Sequence, residues 1–246
     1  MKNFYLIICL LSPVLDLTSD PPLWLKTTVV AVWVSFILFL AWVVYRFAKG
    51  EPEIVRKIVH IGTGNVIMLA WWLNVPASLG ITASIVASGI TLLSYRFPIF
   101  PGINSVGRRS FGTFFYAVSI GILVAWFWHI QQPQYAAIGI MVMAWGDGLA
   151  ALIGQRFGKH KYKVLGAQKS WEGSLTMTLA SYTITSLILL SVEGNIWPIW
   201  VVSLAIALTA TCLEAISFLG IDNLTVPLGS AALAFFLIDT FLVHSR

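Results

Sequence analysis

A chain of 246 residues that is 58% hydrophobic and only 10% charged, with a mean hydropathy of +0.86, is excluded from the soluble domains, in which about a quarter of residues are charged. Its formal charge of +5 is not the footprint of a nucleic-acid binder, because the basic residues are confined to short loops between apolar stretches. The composition is that of an integral membrane protein.

Apolar runs of spanning length, roughly 17 to 25 residues, occur at about 27–45, 58–73, 77–95, 113–130, 135–154, 173–191, 197–217 and 226–243. They predict an all-α polytopic membrane protein with about eight or nine transmembrane helices, built as a single domain over 1–246. A shorter run at 4–15 contains Pro13. No small-residue cleavage pattern follows it, so 1–26 is read as a retained first short span and its loop. Cys9 and Cys212 both lie in apolar runs without metal-ligand spacing and read as ordinary core thiols.

The loops orient the chain. Basic residues gather in alternate loops: Arg46, Lys49, Arg56 and Lys57; then Arg96, Arg108 and Arg109; then Arg156, Lys159, Lys161, Lys163 and Lys169. The intervening loops carry one, Lys26. The positive-inside rule places the basic set in the cytoplasm. Almost all the remaining polar and charged residues of note lie on that side as well: His60, Ser110, Asp147, Glu172, Glu214, Asp222 and Asn223. Topology explains Lys and Arg there but not acids and a histidine. A single cytoplasmic-facing site at the inner ends of several helices is the economical reading.

Along the chain, Arg56, His60 and Gly64 recur every four residues and share a helix face, although Arg56 and Lys57 also fit simple markers of the membrane surface. The Pro- and Gly-rich loop 96–112 holds Arg108-Arg109-Ser110, whose two guanidinium forks suit phosphate oxygens or lipid headgroups. Asp147 interrupts the apolar run from Tyr135 to Ile153. An ionisable group at membrane depth is costly and marks function by default. It shares a stripe with Gly139, Met143, Ala150, Ala151, Gly154 and Gly158. Such a stripe serves helix packing, or leaves room for a metal or phosphates beside the backbone. A regular helix puts Asp147 ~13 Å from Arg156. Lys159, Lys161 and Lys163 alternate in a turn region and fit a solvated charge run as well as a phosphate site. Lys169 and Ser170 open the next helix, where a lysine and free amides together make an anion site, with Glu172 beside them. Glu214 lies inside an apolar run, and Asp222-Asn223 occupies the turn after it, where Asx capping is the plain alternative. Carboxylates beside Lys and Arg suit a polyphosphate carrying Mg²⁺, which takes both kinds of oxygen.

The set Arg56-Lys57-x-x-His60, Gly107-Arg108-Arg109-Ser110-Phe111-Gly112, Gly146-Asp147-Gly148-x-Ala150-x-x-x-Gly154-x-x-x-Gly158-Lys159, Lys169-Ser170-Trp171-Glu172-Gly173 and Glu214-x-x-Ser217…Gly220-x-Asp222-Asn223-x-x-x-Pro227 resembles the CTP-dependent polyprenol kinase family. The resemblance runs from about Glu53 to the C-terminus, so 53–246 is the expected catalytic region. Its compact length looks most like the branch acting on phytol in cyanobacteria and plastids. The resemblance implies a multi-pass enzyme of a bacterial inner or thylakoid membrane. It would move the γ-phosphate of CTP to an isoprenoid alcohol held in the bilayer, with Mg²⁺ as cofactor. It implies Asp147, Lys169, Glu172 and His60 as catalytic groups and Asp147, Glu172 and Glu214 as metal ligands. Arg56, Arg108, Arg109, Ser110, Gly148, Gly154, Gly158, Lys159, Lys161, Lys163, Ser170, Asp222 and Asn223 would bind the nucleotide. The proton acceptor stays open among His60, Asp147 and Asp222.

Part of the same pattern, Gly158-Lys159-x-Lys161 with Lys169-Ser170-Trp171-Glu172-Gly173, also resembles the first half of the phosphatidate cytidylyltransferase signature. The second half of that signature is rich in bases, whereas 214–229 here contains no Lys, Arg or His. That absence favours a neutral alcohol as acceptor, in this branch or among dolichol or diacylglycerol kinases. An anion transporter is the alternative of another class. It would place binding residues near the midplane, often with inverted repeats, and neither is visible here.

Overall fold

A computed structural model describes residues 20–47, 52–95, 111–165 and 167–243. The expected first span, the loop holding Arg96, Arg108, Arg109 and Ser110, and Lys49 lie outside the described residues. In chain order the elements are α1 (Leu23–Phe47), α2 (Pro52–Gly64), α3 (Val66–Trp72), α4 (Ala77–Ser94), α5 (Gly112–His129), α6 (Pro133–Met141), a π-helical segment (Val142–Asp147), α7 (Gly148–Phe157), β1 (Lys161–Val164), β2 (Ala167–Ser170), α8 (Trp171–Glu193), α9 (Trp197–Ala215) and α10 (Asp222–Val243). Seven described helical stretches are long and apolar enough to cross a membrane. The protein is an all-α polytopic membrane protein.

The stretch expected as one span at 58–73 is instead α2 and α3, beginning at Pro52 and broken at Asn65. The Asn65 side chain donates to the Ile61 carbonyl at 2.8 Å and accepts from Trp145 Nε1 at 3.2 Å. An amide that bonds the local backbone competes with the helical ladder, and here it is also tied to a neighbouring helix. Just before the break, Gly62 lets α1 come close: a Cβ there would lie 2.5 Å from the Ile37 side chain, and Trp33 Nε1 donates to the Gly62 carbonyl at 2.8 Å.

The centre of the bundle is α6 with the π-helical segment. Every residue from Tyr135 to Ile140 is buried, as are Val142, Met143 and Ala144, while the peripheral helices turn Leu, Phe, Trp and Val outward. α6 and α7 need close neighbours. Gly139 lies against the carbonyl of Pro227 in α10, Gly154 of α7 lies against Ser170 and Gly173 at the start of α8, and Gly158, just after α7, lies against Ser170. Small residues let membrane helices approach until backbones touch. Ser170 also caps α8, accepting the Gly173 N–H at 3.1 Å.

Short turns at 73–76, 130–132 and 194–196 close one end of the bundle. There Trp128 Nε1 donates to the Val75 carbonyl, and buried Lys26 pairs with Asp20 and donates to the Asn74 carbonyl. The other end gathers the starts of α2, α5, α8 and α10 and the ends of α7 and α9. Its contacts include Phe111 N–H to the Leu219 carbonyl and Trp171 N–H to the His160 carbonyl. The turn region holding the alternating lysines is a two-stranded antiparallel hairpin, β1 with β2.

A Cβ on Gly158 would lie 2.8 Å from the Ser170 Cβ, whereas Gly89 has nothing within 4 Å. Gly158→Val is therefore expected to destabilise the protein by about 1–3 kcal/mol, read as a lower unfolding midpoint in detergent. Gly89→Val should leave that midpoint unchanged.

Candidate functional site

The site grows from two positions on α2. Lys57 and His60 are three residues apart, so both face the same neighbour, the π-helical segment. Lys57 is 3% exposed. Its Nζ lies 2.5 Å from Asp147 Oδ2 and 3.5 Å from the Asp147 carbonyl. His60 Nε2 lies 3.4 Å from the Met143 carbonyl and 3.7 Å from Asp147 Oδ2. π-helical turns recur at functional sites because the wider turn re-aims side chains and loosens the carbonyl ladder. Here Asp147 ends that turn, and Gly148 beside it faces the Ile61 side chain at 2.7 Å from its would-be Cβ.

A second ion pair joins the hairpin to α9. Lys169, at the end of β2, pairs with the buried Glu214 carboxylate. Burial works to discharge Lys169, but the Glu214 carboxylate outweighs it, with help from Asp222 and Asp147, and holds the lysine above its ordinary pKa. Asp222 opens α10. It receives Asn223 Nδ2 at 3.1 Å on its carboxylate, and its N–H donates to Ser217 Oγ at 3.0 Å. Asp222 interacts electrostatically with Asp147, Lys169 and Lys57. Arg56 forks onto Glu53 at 2.6 and 3.1 Å and also interacts with Asp147 and Asp222. The structure therefore brings together Lys57, Lys169 and Arg56 with Asp147, Glu214 and Asp222 at one end of the bundle, with His60 and Asn223 beside them.

Other residues expected at the site stand apart from this cluster. Glu172 accepts N–H bonds from Lys159 and His160, each at 3.2 Å, and pairs with His160 Nδ1 at 2.8 Å. It folds down the 158–160 turn. Lys161 and Lys163 are exposed and point to the opposite face of the hairpin from Lys169, because the register pairs Lys169 with Tyr162. Lys159 is exposed too. Gly154, Gly158 and Ser170 are taken up by the α7–α8 seam. Among the described residues no three of His, Cys, Asp and Glu are grouped as a metal cage. The donor set that remains, Asp147 and Asp222 opposite lysines, fits Mg²⁺, which uses one or two carboxylates and takes its other ligands from water and phosphate.

Lys57 is the cluster residue that the sequence reading left as a fit to a simple marker of the membrane surface. The signal was present: Asp147 at membrane depth requires a partner, and Lys57, three residues before His60, faces the same neighbour as that histidine.

Comparison with known proteins gives the same direction. The chain is 50% identical over 213 residues to a phytol kinase of Synechocystis sp. (strain ATCC 27184 / PCC 6803 / Kazusa), covering 87% of this chain and 91% of that protein. It is 28% identical over 209 residues to phytol kinase 1, chloroplastic, of Arabidopsis thaliana, covering 75% and 66% respectively. It is 27% identical over 212 residues to probable phytol kinase 2, chloroplastic, of Glycine max, covering 77% and 67%. No protein-family model matches, and no solved structure matches.

Removing one member of a buried ion pair leaves a bare charge and costs about 3–5 kcal/mol. Lys57→Met is expected to lower the unfolding midpoint in detergent strongly. Adding Asp147→Asn to it should restore most of that loss without restoring any activity. Equal destabilisation by the single and double variants would show that the pair does not hold the fold.

Proposed function

We propose that this chain, which belongs to the phytol kinase family, transfers the terminal phosphoryl group of CTP to the hydroxyl of phytol, releasing CDP and phytyl phosphate. The observation that carries the reading is the one-ended cluster of Lys57, Lys169 and Arg56 facing Asp147, Glu214 and Asp222, inside a bundle whose outer surface is apolar. CTP as donor is supported by the resemblance of the motif set to CTP-dependent polyprenol kinases. A neutral acceptor is supported by the lack of bases in 214–229. The gathering of basic residues in alternate loops supports a nucleotide entrance on the cytoplasmic side.

Phosphoryl transfer depends on positioning and on charge stabilisation more than on covalent chemistry. The alcohol oxygen bonds to the γ-phosphorus as the bond to the β,γ-bridging oxygen breaks, and CDP leaves with that electron pair. Lys169 stays charged beside Glu214 and binds phosphate oxygens at the hairpin. Arg56 neutralises charge on the transferring group, and Lys57 holds Asp147 in place through Oδ2. Asp147 and Asp222 would hold Mg²⁺, which lowers the charge of the triphosphate. The hydroxyl proton passes to His60, Asp147 or Asp222. The isoprenoid tail remains among the lipid-facing helices, so the reacting oxygen enters the cluster from the membrane side.

Purified protein in detergent with Mg²⁺, phytol and CTP labelled at either the γ- or the α-phosphate separates the possibilities. The γ-label is expected in a lipid-soluble monophosphate and the α-label in CDP. Movement of α-label into lipid with phosphatidate as acceptor would replace the kinase by a cytidylyltransferase, and movement of neither label would point to transport. Chelation of Mg²⁺ should abolish γ-transfer while leaving the unfolding midpoint in place.

A further inference from the structure

Of the seven buried side-chain polar atoms without a partner among the described residues, one, the Tyr116 hydroxyl, belongs to a ring packed on His60 of the charged cluster. Tyr116, on the second turn of α5, is 5% exposed, and its hydroxyl makes no hydrogen bond. Its ring packs against His60 with centroids 4.3 Å apart. Its hydroxyl reaches across α2 to Gly64, where a Cβ would lie 2.6 Å from it. The neighbouring polar groups are already committed. His60 faces the Met143 carbonyl and Asp147, Asn65 is bonded to Ile61 and Trp145, and Ser119 donates to the Tyr116 carbonyl.

A buried phenol is nearly always hydrogen-bonded, and each exception asks for an explanation. The position supplies one. Gly64 lies one helical turn beyond His60 and two beyond Arg56 and Lys57, so the Tyr116 hydroxyl, beside Gly64, lies deeper along α2 than Lys57 by about two turns, roughly 10 Å. The oxygen of an alcohol whose tail lies in the bilayer approaches from that depth.

Resting on the proposed kinase reading, we propose that Tyr116 is a substrate-binding residue whose O–H donates to the hydroxyl oxygen of the isoprenoid alcohol. The alcohol's own proton is thereby left pointing toward the cluster, where an acceptor takes it. A Cβ at Gly64 would meet both the Ala144 Cβ, at 2.4 Å, and the Tyr116 hydroxyl, at 2.6 Å, so glycine there serves the packing of α2 on the π-helical segment as well as the reach of the phenol. The nucleotide is bound on the opposite side of His60, by Lys169 and Arg56, and does not meet Tyr116.

The test is steady-state kinetics of Tyr116→Phe in mixed micelles, varying phytol and CTP separately. The variant keeps the ring against His60, and its unfolding midpoint and KM for CTP report whether the fold and the charged cluster are intact. KM for phytol is expected to rise about five- to tenfold, the effect of one lost neutral hydrogen bond, with KM for CTP unchanged. An unchanged KM for phytol would overturn the inference, as would a parallel rise in both KM values, which would make Tyr116 a brace for His60. Wild-type protein that forms no phytyl phosphate would overturn the proposed function, and this inference with it.

Discussion

A lysine and an aspartate buried against each other set the terms for this structure. Each alone carries a desolvation penalty of several kcal/mol, and their attraction offsets it only with close contact and full hydrogen bonding. Lys57 meets that requirement with two oxygens of one residue, the Asp147 carboxylate and its carbonyl. The contact fixes α2 against the π-helical segment, and therefore fixes where His60, Gly64 and the phenol of Tyr116 lie. A second pair, Lys169 with Glu214, ties the hairpin to α9 in the same manner. The two pairs lie at the same end of the bundle, and Asp222 interacts with both.

The glycine seam between α7 and α8 follows from this placement. Asp147 continues directly into α7, so the depth of the carboxylate is set by how closely α7 packs on α8. Gly154, Gly158 and Gly173 allow the backbones to touch, and Ser170 fills the remaining space while capping α8. Lys169 is the residue before Ser170, so the cap that starts α8 also positions the lysine facing Glu214. A small-residue stripe and a phosphate-binding sequence pattern are here one packing device that places a charge at its edge.

The membrane class, the one-ended polar site and Asp147 were legible from hydropathy and charge placement, because burying an acid in an apolar run is costly enough to be informative. Lys57 was not distinguished from its neighbour Arg56, since four-residue spacing favoured Arg56 with His60, and the three-residue alternative becomes decisive only when Asp147 is opposite. Lys161 and Lys163 fitted a solvated charge run as well as a phosphate site, whereas Lys169 was set apart by the helix that follows it. The two-residue period of a strand sends them to the other face, and nothing in a lysine-rich turn announces a hairpin. The break at Asn65 was hidden for a similar reason: an asparagine inside an apolar run is tolerated by a straight helix, and the partner that makes it a break, Trp145, lies 80 residues away.

The buried pair has a consequence for how the chain enters the membrane. Lys57 and Asp147 are separated by 90 residues, with α4 and α5 threaded between them. During synthesis α2 reaches the bilayer well before its counter-charge exists. A lone lysine or aspartate within a span opposes insertion by about 3 kcal/mol, so α2 and α3 are poor candidates for settling in lipid at once. Their break at Asn65 and the proline that starts α2 suit a segment that waits near the surface and docks once α6 and α7 have been delivered. The order of assembly is then set by charge neutralisation, and the charged cluster closes in the same event that completes insertion.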